Sequence, residues 1–204
     1  MIDPGQLQLS VSMILIASIA VVSILAWIAK PLKRALILNP YLVVERFQVH
    51  RLLTAGWLHA DVSHLAFNML TLYFFADKVE SALGTGRFLL LYISSVVIAH
   101  VPTVIRRHKD PKYNSLGASG AVAAVMFSAI LLFPGMKLAL IFLPIPIPAM
   151  LYAVLYLAYT VVQSLRGGTG INHDAHFAGA IYGALLTFAF ESDRVTRTLQ
   201  QLFS

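Results

Sequence analysis

The chain contains no cysteine. Disulfide cross-links, thiol nucleophiles and cysteine-ligated metal centres are therefore excluded. Charge is scarce as well. Asp, Glu, Lys and Arg make up 12% of the residues, where an ordinary soluble domain carries about 25%. Acidic side chains are the rarer sign, 9 against 15 Lys and Arg. Apolar residues take the place of charge: 58% of the 204 residues, with a mean hydropathy of +0.77. That composition reads as a membrane protein. No repeat and no low-complexity linker divides it, so a single membrane domain over 1–204 is expected.

The positive balance (+6, pI near 9.7) does not point to nucleic acid. The Lys and Arg fall in short loops between apolar runs, and no basic groove pattern is present. Residues 1–9 hold no Lys or Arg, so the charged start of a signal peptide is missing. The first apolar run, 10–29, is long enough to span a bilayer.

Six apolar runs predict an all-α bundle of six transmembrane helices, at about 10–29, 58–76, 88–105, 118–133, 148–163 and 176–190. Several are shorter than the roughly 20 residues of a perpendicular span. Helix ends below the membrane surface need protein or water around them, which predicts a polar cavity. The connection 30–57 mixes Lys30, Lys33, Arg34, Arg46 and Arg51 with Phe47, Leu52, Leu53 and Trp57, and is expected to lie in the interface. Leu143–Pro148, with proline at alternate positions, predicts an extended approach to the fifth helix. Gly167–Gly170 predicts a flexible link before the sixth.

The polar residues inside these runs carry the chemistry. Ser119 sits in Gly117-Ala118-Ser119-Gly120 at the head of an apolar run. The first turn of a helix leaves backbone N–H groups without intrahelical partners, so a serine there combines a nucleophile with oxyanion donors. His176 heads the sixth run, on the same side of the membrane two crossings later. Gly179, Ala180 and Gly183 share its helical face, and Gly120, Ala124 and Ser128 repeat at four-residue steps on the fourth helix. Two such small-residue faces allow close helix packing, which would bring His176 to Ser119. No acid is placed to complete a triad, since Asp174 falls on another face, so a Ser–His dyad is expected. His173 is expected at the aqueous mouth. His64 and Asn68 lie one turn apart on the second helix and could donate to an oxyanion. No metal or organic cofactor is required.

Together these residues resemble the rhomboid family of intramembrane serine proteases. The resemblance runs from about Arg51 to Gly183. It rests on His59-x4-His64-x3-Asn68, Glu80-x3-Gly84-x-Gly86, Gly117-Ala118-Ser119-Gly120 and His176-x2-Gly179-x3-Gly183. It implies that Ser119 is the nucleophile and His176 the general base. It implies an oxyanion hole of His64, Asn68 and the Ser119 N–H, supported by Arg51, His59, Glu80, Gly117, Gly120, Gly179 and Gly183. The implied substrates are single-span membrane proteins cut within or near the bilayer, in a bacterial cytoplasmic membrane. Two positions depart from the pattern. His50 stands where the family's Trp–Arg pair has tryptophan. Ala123 stands where well-known members place an aromatic ring that stacks on the catalytic histidine, so close contact with the fourth helix is expected to orient His176.

Charge and resemblance disagree over orientation. Five of the 15 Lys and Arg (Lys78, Arg87, Lys137, Arg194, Arg197) fall on the N-terminal side, and the remaining ten on the side of Ser119 and His176. The positive-inside rule places the ten-charge side in the cytoplasm, whereas bacterial relatives open outward; an outward site is the expectation. Two other functions fit part of the sequence. A catalytically inactive rhomboid-like binding protein would lack the serine or the histidine. A proton-coupled transporter using His59, His64 and His176 would need acidic partners within its helices, and only Asp61 is near one.

Overall fold

The computed structural model of the protein describes residues 10–140, 143–167 and 170–203. Residues 1–9, on which the signal-peptide reading rests, and Gly168 and Thr169 of the glycine link lie outside them. Six long helices stand near the six apolar runs: α1 (Val11–Ile28), α5 (Val62–Leu83), α6 (Thr85–Arg107), α7 (Ser119–Leu132), α8 (Ala149–Arg166) and α9 (His173–Phe203). Among the described residues three of these, α1, α6 and α8, are long and apolar enough to cross a membrane. The connection after α1 is folded into three short helices, α2 (Lys30–Leu36), α3 (Pro40–Glu45) and α4 (His50–Thr54), and a 3-10 turn at Ala55–Trp57.

Local capping explains where the helices differ from the expected bounds. The Asp61 side chain accepts the His64 N–H at 2.8 Å, so α5 starts at Val62 rather than Leu58. It runs past Ala76 because no breaker intervenes before Gly84, whose φ of +80° favours glycine. Asn172 Oδ1 accepts the Ala175 N–H at 3.1 Å, which sets the start of α9 at His173, one turn before His176. This helix breaks its regular geometry at Glu191 and continues to Phe203.

The bundle is not purely helical. Leu143–Pro148 forms strand β2, paired antiparallel with β1 (Lys137–Leu140). Alternate prolines remove every second N–H and leave the others facing one neighbour. A two-stranded ribbon needs no more than that.

Helix α7 is the centre of the bundle, with α9, α5 and α6 packed around it. All its residues from Gly120 to Leu132 are buried except Leu131. Its 14 residues rise about 21 Å, less than the roughly 30 Å hydrocarbon core. The α7–α9 contact is set by glycine. A Cβ on Gly179 would lie 2.0 Å from the Gly120 carbonyl oxygen, and one on Gly183 would lie 2.4 Å from Ala124 Cα. The seam also carries polar bonds: Thr187 Oγ1 donates to Ser128 Oγ at 2.6 Å.

Candidate active site

Ser119 is the first residue of α7 and His176 lies in the first turn of α9. The glycine seam brings these two helix starts together, and Ser119 Oγ lies 2.7 Å from His176 Nε2. That is a short hydrogen bond. For the hydroxyl to donate, Nε2 must be the unprotonated nitrogen and Nδ1 must carry the ring hydrogen. Gly120 makes the approach possible from below. A Cβ there would sit 2.4 Å from Ala99 Cβ and 3.0 Å from the Ala175 carbonyl oxygen, the residue just before the histidine.

Both residues line a cavity of about 1160 Å³ that also takes in Asp61, His64, Asn68, Asn172 and His173. His64 packs on Gly117, where a Cβ would come 2.8 Å from the imidazole Cε1. The φ of +126° at Gly117 is a second reason for glycine. Asn68 lines the cavity one turn below His64 and spends one amide hydrogen on the His64 carbonyl at 2.9 Å. Thus His64, Asn68, Ser119 and His176 face one polar space. Ser63 and the His64 N–H donate to the Asp61 carboxylate and hold it below the usual carboxylate range, so the cap stays charged at the mouth.

The other expected support residues are dispersed. His59 is buried outside the cavity lining. The single hydrogen of Ser23 Oγ goes to the Trp57 carbonyl at 2.8 Å, so His59 Nδ1 must donate to Ser23 at 2.9 Å. The ring meets His64 edge-on at 4.9 Å between centroids, and so links α1 to a cavity-lining side chain. Glu80 accepts from the Val11 and Ser12 N–H groups and from Thr85, which fastens the start of α1 to the end of α5, away from Ser119. Arg51 ties the Arg34 and Ile37 carbonyls at 2.8 and 2.7 Å and shapes the interfacial connection.

Among the described residues no carboxylate bonds the His176 ring. Asp174 instead pairs with Arg106 at 2.9 Å and bonds Ser164, joining α6, α8 and α9 at the mouth. His173 is buried, not merely at the mouth, and meets His176 edge-on at 5.8 Å between centroids. Asn172 donates to Thr103 Oγ1 at 2.7 Å and Ser115 Oγ at 3.0 Å, which fixes the start of α9 against α6 and the loop before Ser119. Among the described residues no group of three His, Asp or Glu side chains converges as a metal site.

Besides the close contact with α7 expected to orient it, the His176 ring has an aromatic neighbour on another helix. Tyr156 on α8 lies parallel to the imidazole, 6.4 Å between centroids with planes 10° apart. Tyr152 stacks on Tyr156 at 5.9 Å, and Phe127 of α7 meets it at 5.7 Å. Ala123 is buried in the same cluster. Its small side chain leaves room for a ring delivered from α8. Tyr152 and Tyr156 are four apart, and this aromatic face of the fifth apolar run was the available signal.

The rhomboid domain matches residues 46–192. RHOMBOID-like protein 12, mitochondrial, of Arabidopsis thaliana is 31% identical over 68% of this chain and 45% of its own length. YdcA of Bacillus subtilis, a rhomboid protein, is 32% identical over 68% of this chain and 65% of its own. The presenilin-associated rhomboid-like protein, mitochondrial, of Homo sapiens is 30% identical over 65% of this chain and 35% of its own. The chain therefore spans less than two thirds of each of these relatives. With its helical fold and its three apolar spans, the chain is an integral membrane protein, and it belongs to the rhomboid family.

Proposed function

We infer that the protein is an intramembrane serine endopeptidase working through a Ser119–His176 dyad, and that six helices, α1 and α5 to α9, cross the bilayer. The 2.7 Å bond from Ser119 Oγ to His176 Nε2 on a polar cavity carries this reading. A serine kept only for packing would not need an imidazole aligned on its hydroxyl beside His64 and Asn68.

In this reading Ser119 Oγ attacks the scissile carbonyl carbon while its proton passes to His176 Nε2. The carbonyl oxygen becomes an oxyanion, stabilised by His64, Asn68 and the Ser119 N–H. His176 then protonates the leaving amine as the C–N bond breaks. Water from the cavity attacks the acyl-enzyme, His176 takes its proton, and the acid product leaves as Ser119 is restored. Peptide carbonyls in a substrate helix are already hydrogen-bonded, so the substrate must unwind locally. The substrates proposed are single-span membrane proteins. The membrane proposed is a bacterial cytoplasmic one, a reading favoured by the Bacillus subtilis relative and opposed by the mitochondrial names of the plant and human relatives.

A fluorophosphonate tests the reading at its first step. A covalent adduct on Ser119 that is lost in H176A supports the dyad. A folded protein that never labels contradicts it.

A further inference from the structure

A second cavity, about 410 Å³, lies away from the dyad. Lys30, Lys33, Arg34 and Arg51 line it, and no Asp or Glu does. Arg51 is buried, at 7% exposure. Its Nε donates to Gln48 at 2.7 Å, and Nη1 serves the Arg34 and Ile37 carbonyls. Its Nη2 donates to no described residue. The two ion pairs found among the described residues, Arg87–Glu191 and Arg106–Asp174, are elsewhere. Arg51 thus keeps spare Nη2 donors at the cavity, beside three more cations and with no carboxylate in the lining to balance them.

The surroundings indicate which anion. Helix α1, apolar enough to cross a membrane, ends at Ile28, two residues before Lys30. Ile28 is 78% exposed and Phe47, next to the Gln48 that holds Arg51, is 83% exposed. Phe47 also adopts a φ of +53°, unusual for a bulky residue. Exposed apolar side chains close in sequence to the residues of a basic cavity, at the end of an apolar span, fit a position at the level of lipid head groups. The volume falls within the roughly 300–1,000 Å³ of small-molecule pockets, more than a bare ion needs.

We propose that this cavity binds the phosphodiester head group of an anionic glycerophospholipid, with Arg51 and the three flanking cations on its phosphate. Arginine donors match phosphate oxygens, and basic pockets beside membrane helices suit anionic lipids. The site is independent of whether Ser119 is a nucleophile.

The test uses the whole chain, delipidated in a zwitterionic detergent. It is titrated separately with phosphatidylglycerol, phosphatidylcholine and inorganic phosphate. Native mass spectrometry counts bound lipid and a melting curve reports stability. Phosphatidylglycerol is expected to be retained one per chain and to raise the melting temperature. Phosphatidylcholine and inorganic phosphate are expected to do neither. K30Q/K33Q/R34Q is expected to weaken phosphatidylglycerol binding about 100-fold, at about fivefold per charge. K109Q/K112Q, which removes exposed charge outside the cavity, is expected to bind normally. If the triple variant does not fold, K30Q/R34Q changes exposed positions only and is expected to bind about 30-fold more weakly. Equal retention of both lipids, equal loss in the K109Q/K112Q control, or the same stabilisation by inorganic phosphate would overturn the proposal.

Discussion

Replacing Tyr156 by leucine isolates what its ring does for His176. Leucine keeps apolar bulk on α8 but removes the flat face that lies parallel to the imidazole, 6.4 Å away. An aromatic pair is worth about 0.5–1.5 kcal/mol beyond the area it buries. If the contact holds His176 in the orientation that accepts the Ser119 proton, that energy is lost from the transition state. The rate should then fall about 2- to 13-fold. The fall should appear in kcat and in the rate of fluorophosphonate labelling, with KM little changed. Y156F keeps the ring and should stay within about twofold of wild type. Ala123 supplies the complementary check. It is buried in the cluster with Phe127 and Tyr156, so A123Y alone should overpack and cost about 1–3 kcal/mol of stability. In the A123Y/Y156L double variant the new ring has space, and part of the lost rate should return. A Y156L protein with wild-type melting, kcat and labelling rate would refute the orienting role of Tyr156.

The remaining expectations concern the cavity and the seam. H64A and N68A should each lower kcat by about 10²–10³ if they bind the oxyanion; a change confined to KM would assign them to substrate binding. G179A should already unfold or inactivate the protein, because its Cβ would lie 2.0 Å from the Gly120 carbonyl oxygen; a normal melting curve and normal turnover would show that this seam does not hold the dyad. D174N should leave the dyad chemistry intact, since Asp174 faces Arg106 and Ser164 rather than His176. A loss of kcat as large as that of H176A would instead make it a functional third member.

Much of the site was legible because its parts are local. Glycine brackets mark Ser119, and small residues at +3, +4 and +7 from His176 mark the face that meets α7. Both the nucleophile candidate and its partner followed from these patterns. The ring over His176 was not legible from the α7 motif. Tyr156 lies on a different helix, and nothing near Ala123 in sequence says that the missing aromatic is supplied across a packing contact. Helix starts shifted for a similar reason. Asp61 and Asn172 stop being loop residues only when their side chains accept specific backbone N–H groups. The β1–β2 ribbon was half legible: the prolines exposed the extended strand, but its partner Lys137–Leu140 carries no strand signal of its own. Hydropathy also smoothed over the connection 30–57, where three small helices stand rather than a loop, the middle one capped by Asn39.

The central claim is peptide-bond cleavage by Ser119 and His176, and the most direct measurement is cleavage itself. Purified wild-type, S119A and H176A proteins, matched for folding by their melting curves, are incubated with a panel of single-span membrane substrates. Products are mapped by mass spectrometry. The account expects wild-type cuts within or beside the substrate's apolar span, and no such product from either variant. Cleavage by S119A at the wild-type rate would contradict it.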